Sequence, residues 1–344
     1  MNGKVVGVLG AREQTAFFCF FPSRLLITSA SLHFQCLIPT SDSLLLGGGQ
    51  LGRMLAASAA LLNIDVVILD VGENSPAKQI ISPRSPSLTH IDGAFTDPEK
   101  IKALASKVDI LTVEIEHVDA TVLEEIQSAS GAVIHPCPST VKIIQDKFVQ
   151  KQHLQRNQCP VSEFIHVSSD VESIRQTAEK LGLPFMLKSR TLAYDGRGNF
   201  VVRNLAQAEE ALSALGNRPL YAEKWVPFAK EISVMVVRSA TGEVRSYPAV
   251  ETIHKDSICH LVFAPLRNRD PHVAIRAQDV AENAVKTFQG GGAFGVEMFL
   301  MEDGKRRSSR LFDQSNARIL ARLNIYQRNS SSASQFWALY HRGL

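Results

Sequence analysis

From Leu44 to about Pro138, short apolar runs alternate with stretches of helical period. Leu44-Leu45-Leu46 reads as a strand, and Gln50–Leu62 repeats its apolar positions every three to four residues, as a helix does. Asp65–Asp70, Asp109–Val113 and Ala132–Ile134 are further buried-strand runs, with an amphipathic helix over Asp97–Lys107. Apolar strands separated by helices predict an α/β domain with a parallel sheet. Gly47-Gly48-Gly49 ends the first of these strands, on the sheet edge where open α/β folds bind ligands.

The pattern changes at Asp146. A helix over Asp146–Gln158 stops at Cys159-Pro160, and a small α+β unit runs on to Ala222. It consists of helix Val171–Leu181, strand Pro184–Lys188, a glycine loop, strand Phe200–Arg203 and helix Ala206–Leu215. Longer strands follow at Glu231–Arg238 and Glu243–Val250, then helix Ala274–Phe288 and strand Gly295–Leu300. The expected division is 1–10 with 47–145 as an N-terminal parallel domain, 146–222 as a lid and 223–304 as a central region. Residues 305–344 have no clean strand period, and no internal repeat occurs anywhere.

The chain also starts twice. Lys4-Val5-Val6-Gly7-Val8-Leu9-Gly10 is already a strand running into glycine, and Leu44–Gly49 repeats the device. The intervening stretch 11–46 is rich in Phe, Leu and Ser, with Arg12 and Arg24 balancing Glu13 and Asp42. Structureless segments of this length are rare inside compact domains. It is expected to be an insertion outside the sheet, without stable order. Of the two starts, Val5–Leu9 is the expected first strand, because it holds the β-branched residues.

Charge alters the picture only at the end of the chain. The net charge is +3, but residues 305–344 hold eight Lys/Arg against Asp313 alone, which leaves the remainder at −4. The basic balance is therefore no nucleic-acid signal for the whole chain. The tail has few aromatics to stack bases, namely Tyr326, Phe336, Trp337 and Tyr340. Five scattered cysteines form no CxxC pair, which favours a reducing, cytoplasmic setting over a disulfide framework or zinc site. No apolar run nears the ~20 residues that span a membrane. Ala16–Phe21, stopped by Pro22, makes a poor signal peptide, and a transit peptide is disfavoured by Glu13 and Asp42.

Two segments carry candidate chemistry. Gly47–Gly52 (GGGQLG) suits a phosphate-binding turn, although strand–helix turns rich in glycine also occur without any ligand. In Met186–Gly198 a lysine, Lys188, ends a strand and is followed by a loop with two glycines. Lys188 meeting one phosphate while loop amides close over others is one reading; a surface hairpin with a solvated lysine is the other. A third cluster, Tyr221-Ala222-Glu223-Lys224-Trp225-Val226 with Glu231, tips the balance. A carboxylate beside an extended backbone can read an adenine edge, and a second one eight residues on can bind ribose hydroxyls.

Five segments in order resemble the ATP-grasp superfamily, and within it the 5-(carboxyamino)imidazole ribonucleotide synthetase family, which also forms the amino-terminal part of the fungal phosphoribosylaminoimidazole carboxylases. They are GGGQLGRM, Val113–Val118 (VEIEHV), Ser189–Asn199 (SRTLAYDGRGN), Ala222–Val234 (AEKWVPFAKEISV) and Gly295–Phe299 (GVEMF). The resemblance implies a pre-ATP-grasp domain, an ATP-grasp domain with its lid, and a purine-biosynthetic ligase. Its substrates would be ATP, bicarbonate and aminoimidazole ribonucleotide, joined through carboxyphosphate, with Mg2+ (or Mn2+) as the metal. Carried over by motif, Lys147 and Lys188 hold ATP phosphates, and Ala193, Asp195, Gly196, Gly198 and Asn199 belong to the loop closing over the nucleotide. Tyr194 and Arg197 are the catalytic candidates that also meet the ribonucleotide phosphate. Glu223, Lys224, Trp225 and Val226 take the adenine, Glu231 the ribose, and His254 lines the site. Glu297 is the metal ligand, and Gln50 and Glu116 face the ribonucleotide. No nucleic acid or membrane partner is implied, and a homodimer stays open. Glu116, His117 and His254 also have a plain reading as solvated surface residues.

The sequence departs from that family twice. The 11–46 stretch has no family counterpart and reads more like translated non-coding sequence than a designed loop. After Gly304 the family has a strand ending Asn-Glu, whose glutamate is a second metal ligand, then a loop that holds bicarbonate. Here Ser308-Ser309 are expected near that Asn-Glu position, and Ser315–Arg322 does not supply the loop. The chain also ends without the second domain of the fungal enzymes. The leading expectation is the ligase; the alternative is an ATP-binding remnant that lacks turnover.

Overall fold

Parallel strands need long crossover connections, and the first part of the chain supplies them as helices. The computed structural model describes residues 4–5, 7–8, 43–46, 48–82, 88–192, 198–255, 258–301 and 319–324; for 4–5, 7–8, 43–46, 50, 258 and 319–324 it describes the backbone only. The first elements are β1 (Lys4–Val5), β2 (Gly7–Val8), β3 (Ser43–Leu46), α1 (Gln50–Leu61), β4 (Ile64–Asp70), β5 (Ile91–Asp92), α2 (Pro98–Ala105), β6 (Ile110–Val113), α3 (Ala120–Ser130) and β7 (Val133–His135). All seven residues of β4 are buried. Its Ile64, Val66 and Ile68 pack on Leu55, Ala56 and Ala59 of α1. Val67 and Leu69 join Ile101 and Leu104 of α2 and Leu123 of α3 in the larger core. A strand covered on both faces is the expected behaviour of a parallel sheet. Helix α3, missed in the sequence pattern, has clear end signals. Asp119 caps it by accepting the amides of Thr121 and Val122, and Gly131 ends it in the left-handed region at φ 69°.

The two starts resolve against expectation. β3 pairs in parallel with β6, from Ser43↔Ile110 to Leu46↔Val113, and leads through Gly48-Gly49 into α1. The described residues of the earlier start, 4–5 and 7–8, do not take that place. Lys4–Val5 pairs instead with β4, and Gly7–Val8 lies on the other side of β3. The reason is covalent: only residues 43–46 can feed the glycine turn directly, and that constraint outweighs the β propensity of the valines. The last four residues of the expected insertion are therefore a strand. Residues 11–42 lie outside the described residues.

Helices α4 (Pro138–Gln145) and α5 (Lys147–Arg156) lead into the lid, formed by β8 (Phe164–Val167), α6 (Val171–Leu181), β9 (Phe185–Ser189), β10 (Asn199–Val202), α7 (Ala208–Leu215) and β11 (Leu220–Lys224). Its antiparallel order is β10-β9-β11-β8. One face buries Phe185, Leu187, Val202, Leu220 and Ala222 against Ile174, Leu181, Ala211 and Leu215.

The central sheet contains β12 (Phe228–Arg238), β13 (Val244–Ser246), β14 (Val250–Lys255), β15 (Ile258–Phe263), β16 (Gly292–Met301) and β17 (Ile319–Asn324), in the order β15-β14-β12-β16-β17 with β13 beside β12. Pro248, which cannot donate to a ladder, falls where the expected strand Glu243–Val250 divides into β13 and β14. Helix α8 (His272–Lys286) covers one face, burying Ile232, Val234, Val236, Val296 and Met298 with Ala277, Ala281 and Val285. The expected absence of a strand beyond 304 does not hold, since β17 pairs with β16. Among the described residues no helix is long and apolar enough to cross a membrane.

Where β7 leads to α4, His135 is 6% exposed, and burial lowers its pKa to about 4. The unfolded chain binds a proton there below an ordinary value of about 6.5 while the folded chain resists until about 4. Unfolding therefore takes up protons in this window, and stability falls as pH drops from about 6.5 toward 4, by on the order of 3 kcal/mol from this residue. Urea melts at pH 7 and pH 4.5 should show that loss, and His135→Asn should shrink it. An equal slope in the variant refutes the assignment.

Candidate nucleotide-binding site

Helix α5 begins where Asp146 accepts the amides of Phe148 and Val149, at 3.0 and 3.1 Å. The same carboxylate takes the fork of Arg190, with Nε at 3.1 and 3.0 Å from its two oxygens and Nη2 at 2.5 Å from Oδ2. Arg190 follows the last residue of β9, its guanidinium lies 5.1 Å from the Phe148 ring centre, and its carbonyl accepts the Lys147 amide at 2.8 Å. A bidentate charged pair fixes orientation as well as distance. It joins the helix that carries Lys147 to the strand that carries Lys188.

Lys147 lies 3.2 Å from Glu116 Oε1, both side chains being largely buried. Gln145 Nε2 holds the Glu116 loop by donating to the carbonyls of Glu116 and Val118 at 2.5 and 2.6 Å. Burial alone would raise the pKa of Glu116, but Lys147 and His117 more than offset this and keep it below the usual carboxylate range. Glu114 behaves oppositely. It follows β6 at the carboxyl edge of the sheet, is 5% exposed, and its Oε2 has no hydrogen-bond partner among the described residues. Burial, then the charges of Asp70 and Glu116, push its pKa well above the ordinary value. The sequence reading passed over Glu114 in favour of Glu116; the alternation of VEIEHV marks both acids but does not say which is paired.

Beside this edge, the Gly48 amide donates to Asp70 Oδ2 at 3.0 Å. A side chain at Gly48 would put its Cβ 2.5 Å from Ser75 Oγ and 2.9 Å from Asp70 Oδ2, so only glycine fits here. The Gln50 backbone starts α1; its side chain lies outside the description.

The face of the lid sheet opposite its core turns polar. Strand alternation puts Tyr221 and Glu223 on one face, and the register sets Lys188 directly across from Tyr221. Glu223 Oε1 accepts from Tyr221 Oη at 2.9 Å and lies 3.2 Å from Lys188 Nζ and 3.5 Å from Lys151 Nζ. Lys151 donates to Ser162 Oγ at 2.7 Å and stands 5.6 Å from the Phe164 ring centre. Lys151, Ser162, Asp146 and Arg190 were not singled out from the sequence. The i, i+4 spacing of Lys147 and Lys151 was the available signal.

On the central sheet, Glu231 pairs across to Thr252 and Phe299, and Ser233 to Glu297. These residues share the face opposite α8. His254 Nδ1 contacts Glu231 Oε2. Glu297 stands in register with Arg322 of β17, not with Ser308-Ser309, so the expected place of the strand partner is corrected by about a dozen residues. Among the described residues no three His, Cys, Asp or Glu side chains group to hold a metal by themselves.

Lys224 is exposed and pairs with Glu163 at 2.9 Å, while Trp225 and Val226 begin the link from β11 to β12. Asn199 stands opposite Lys188, and the Gly198 carbonyl accepts the Ser189 amide at 2.8 Å, which closes the base of the loop. Ala193, Tyr194, Asp195, Gly196 and Arg197 lie outside the described residues.

Lys147 thus stands beside Glu116 at the edge of the parallel sheet, Lys188 and Glu223 pair on the lid sheet, and Glu231 and Glu297 share one face of the central sheet. Two family models match the chain: the ribonucleotide synthetase pre-ATP-grasp domain over residues 44–145 and the ATP-grasp domain over 152–307. Phosphoribosylaminoimidazole carboxylase of Ogataea methanolica is 55% identical over 260 residues, 76% of this chain and 47% of that protein. The carboxyaminoimidazole ribonucleotide synthase of Aspergillus clavatus, solved with ATP, aligns at TM-score 0.75 and 40% identity, over 96% of this chain and 72% of its own. The Aspergillus clavatus N5-carboxyaminoimidazole synthase solved with ADP and 5-aminoimidazole ribonucleotide aligns at TM-score 0.75 and 39% identity, covering 96% and 71%. The chain belongs to the N5-carboxyaminoimidazole ribonucleotide synthetase family of ATP-grasp proteins. It spans about half the length of the curated fungal relatives that it matches.

Because Arg190 supplies a fork and not merely a charge, Arg190→Lys should be costly. We expect a loss of about 1.5–3 kcal/mol in urea unfolding, the range for hydrogen bonds to charged groups. A lysine variant as stable as the parent would show the fork to be idle.

Proposed function

We propose that the chain uses ATP to carboxylate aminoimidazole ribonucleotide with bicarbonate. The observation that carries this is the Asp146–Arg190 fork, which sets Lys147 beside the carboxyl edge of the parallel sheet and Lys188 on the facing lid sheet. Support comes from the relative solved with ADP and 5-aminoimidazole ribonucleotide.

In this reading Lys147 and Lys188 take the phosphates, and Gly198 and Asn199 frame the base of a loop whose Ala193, Asp195 and Gly196 close over them. Glu223 and the Lys224–Val226 backbone take the adenine, and Glu231, oriented by His254, takes the ribose. Magnesium in ATP sites is held by one or two carboxylates plus the phosphates themselves, without a full protein cage. Glu297 fits as one such carboxylate, and the ion would neutralise charge on the transferring group. The terminal phosphoryl group passes to a bicarbonate oxygen, releasing ADP. The ribonucleotide amine then attacks the activated carbon, and inorganic phosphate leaves. Glu114 and Glu116, with Gln50, face the ribonucleotide; Glu114, held toward its protonated form, donates where Glu116 only accepts. Tyr194 and Arg197 meet its phosphate. Excluding water protects the labile carboxyphosphate.

The alternative is nucleotide binding without turnover, and no observation among the described residues favours it. One assay separates the readings: ATP consumption with and without aminoimidazole ribonucleotide and bicarbonate, with the carboxylated product followed directly. Consumption that needs both co-substrates supports the ligase. ATP bound in calorimetry but not consumed supports the second reading, and absence of binding overturns both.

A further inference from the structure

The family reading gives roles to Lys147, Lys188 and Glu223 but leaves Lys151 without one. This lysine sits one turn after Lys147 on α5 and is as buried as Lys147, each being 5% exposed. A buried ammonium group is costly unless its charge and its donors are met. Those of Lys151 meet Ser162 Oγ at 2.7 Å, Glu223 Oε1 at 3.5 Å and the Phe164 ring. Ser162 in turn faces the second Glu223 oxygen at 3.4 Å. Lys188 reaches the same Oε1 at 3.2 Å. Two ammonium groups thus share one buried carboxylate.

The arrangement has a consequence if Lys188 is the phosphate lysine, on which this inference rests. A lysine held only by a buried glutamate would have to abandon it to meet phosphate, leaving an uncompensated negative charge near an incoming anion. With Lys151 in place, Glu223 keeps a counter-ion when Lys188 shifts. Lys151 itself has reason to stay, because Ser162 and Phe164 hold it independently of Lys188.

We propose that Lys151 is a positioning residue: it is the resident counter-ion of Glu223, and it releases the charge of Lys188 to the nucleotide phosphates. Its effect therefore scales with the phosphate tail. A lysine that serves only to pack α5 against the lid would affect all nucleosides alike.

The test is calorimetric titration of the full chain with ATP and, by competition, adenosine. Lys151→Met is expected to weaken ATP at least about 10-fold, or about 1.4 kcal/mol, while adenosine changes by less than about 3-fold. Lys151→Arg should return ATP affinity to within about 3-fold of the parent, since charge alone is required. Adding Glu223→Gln to Lys151→Met should recover the ATP-to-adenosine ratio even where both affinities fall, because glutamine no longer competes for Lys188. If Lys151→Met does not fold, Ser162→Ala, which removes the anchor of Lys151, should lower the same ratio about 3-fold. An unchanged ratio in whichever of these folds overturns the proposal. Lys188→Met is the control: if it leaves the ratio unchanged, the phosphate reading of Lys188 has failed, which is a different result from Lys151 being idle.

Discussion

Asp146 makes the contacts on which the site depends. One carboxylate ends the orphan amides of α5 and grips Arg190 in two places, while the Arg190 carbonyl takes the amide of Lys147. Helix ends need such partners, and here the partner also sets the spacing between two elements distant in sequence. Lys147 and Lys188 project from the two sides of this joint. A phosphate lysine displaced by an ångström loses most of its use, because the value of a charged contact falls steeply outside hydrogen-bond range. In the function proposed above, the joint would fix the spacing of the two lysines.

The kinds of sheet among the described residues can be read in the same light: strands β1 to β7 pair in parallel, and the lid and central sheets are antiparallel. The parallel sheet provides a carboxyl edge, with Gly48, Asp70 and Glu114 gathered at its strand ends. The lid and central sheets are antiparallel, with one apolar face each, so their second faces are open to carry polar groups. Glu223 stands on one of these and Glu231 and Glu297 on the other, and the short link through Trp225 and Val226 joins them.

Much of this was legible in the sequence, and the reasons for what was not are specific. Helix α6 and the apolar strand β4 stood out because their periods are strong and their ends are marked, by Asp170 for α6 and by the Asp65–Asp70 run for β4. Helix α3 was hidden because its cap, Asp119, comes two residues after the segment Glu114–His117, which draws attention as chemistry. The wrong choice of first strand came from weighing valines above connectivity. Lys188 was marked by its place at the end of a strand and Lys147 by motif resemblance, whereas the Asp146–Arg190 fork and the Lys151–Glu223 pair join residues 44 and 72 positions apart and are visible only in the folded chain.

The acids of the site show why motif and geometry have to be combined. Glu114 and Glu116 are two residues apart and both shielded from water, yet Lys147 and His117 keep one ionised while burial and neighbouring charge push the other toward its protonated form. Glu223 is buried between two ammonium groups, and Glu231 shares its partly open face with His254. A sequence presents four glutamates; the structure presents one pushed toward its protonated form, one held ionised beside Lys147, one between two ammonium groups and one in contact with His254. The distinction lies in what each faces, because a carboxyl group's role is set by the balance of desolvation against nearby charge. The reaction proposed above, which would hold a triphosphate and a phosphorylated sugar without trapping either, calls for such unequal acids. An array of identically ionised carboxylates would repel any phosphorylated ligand, and an array of neutral ones would offer a cation nothing to bind.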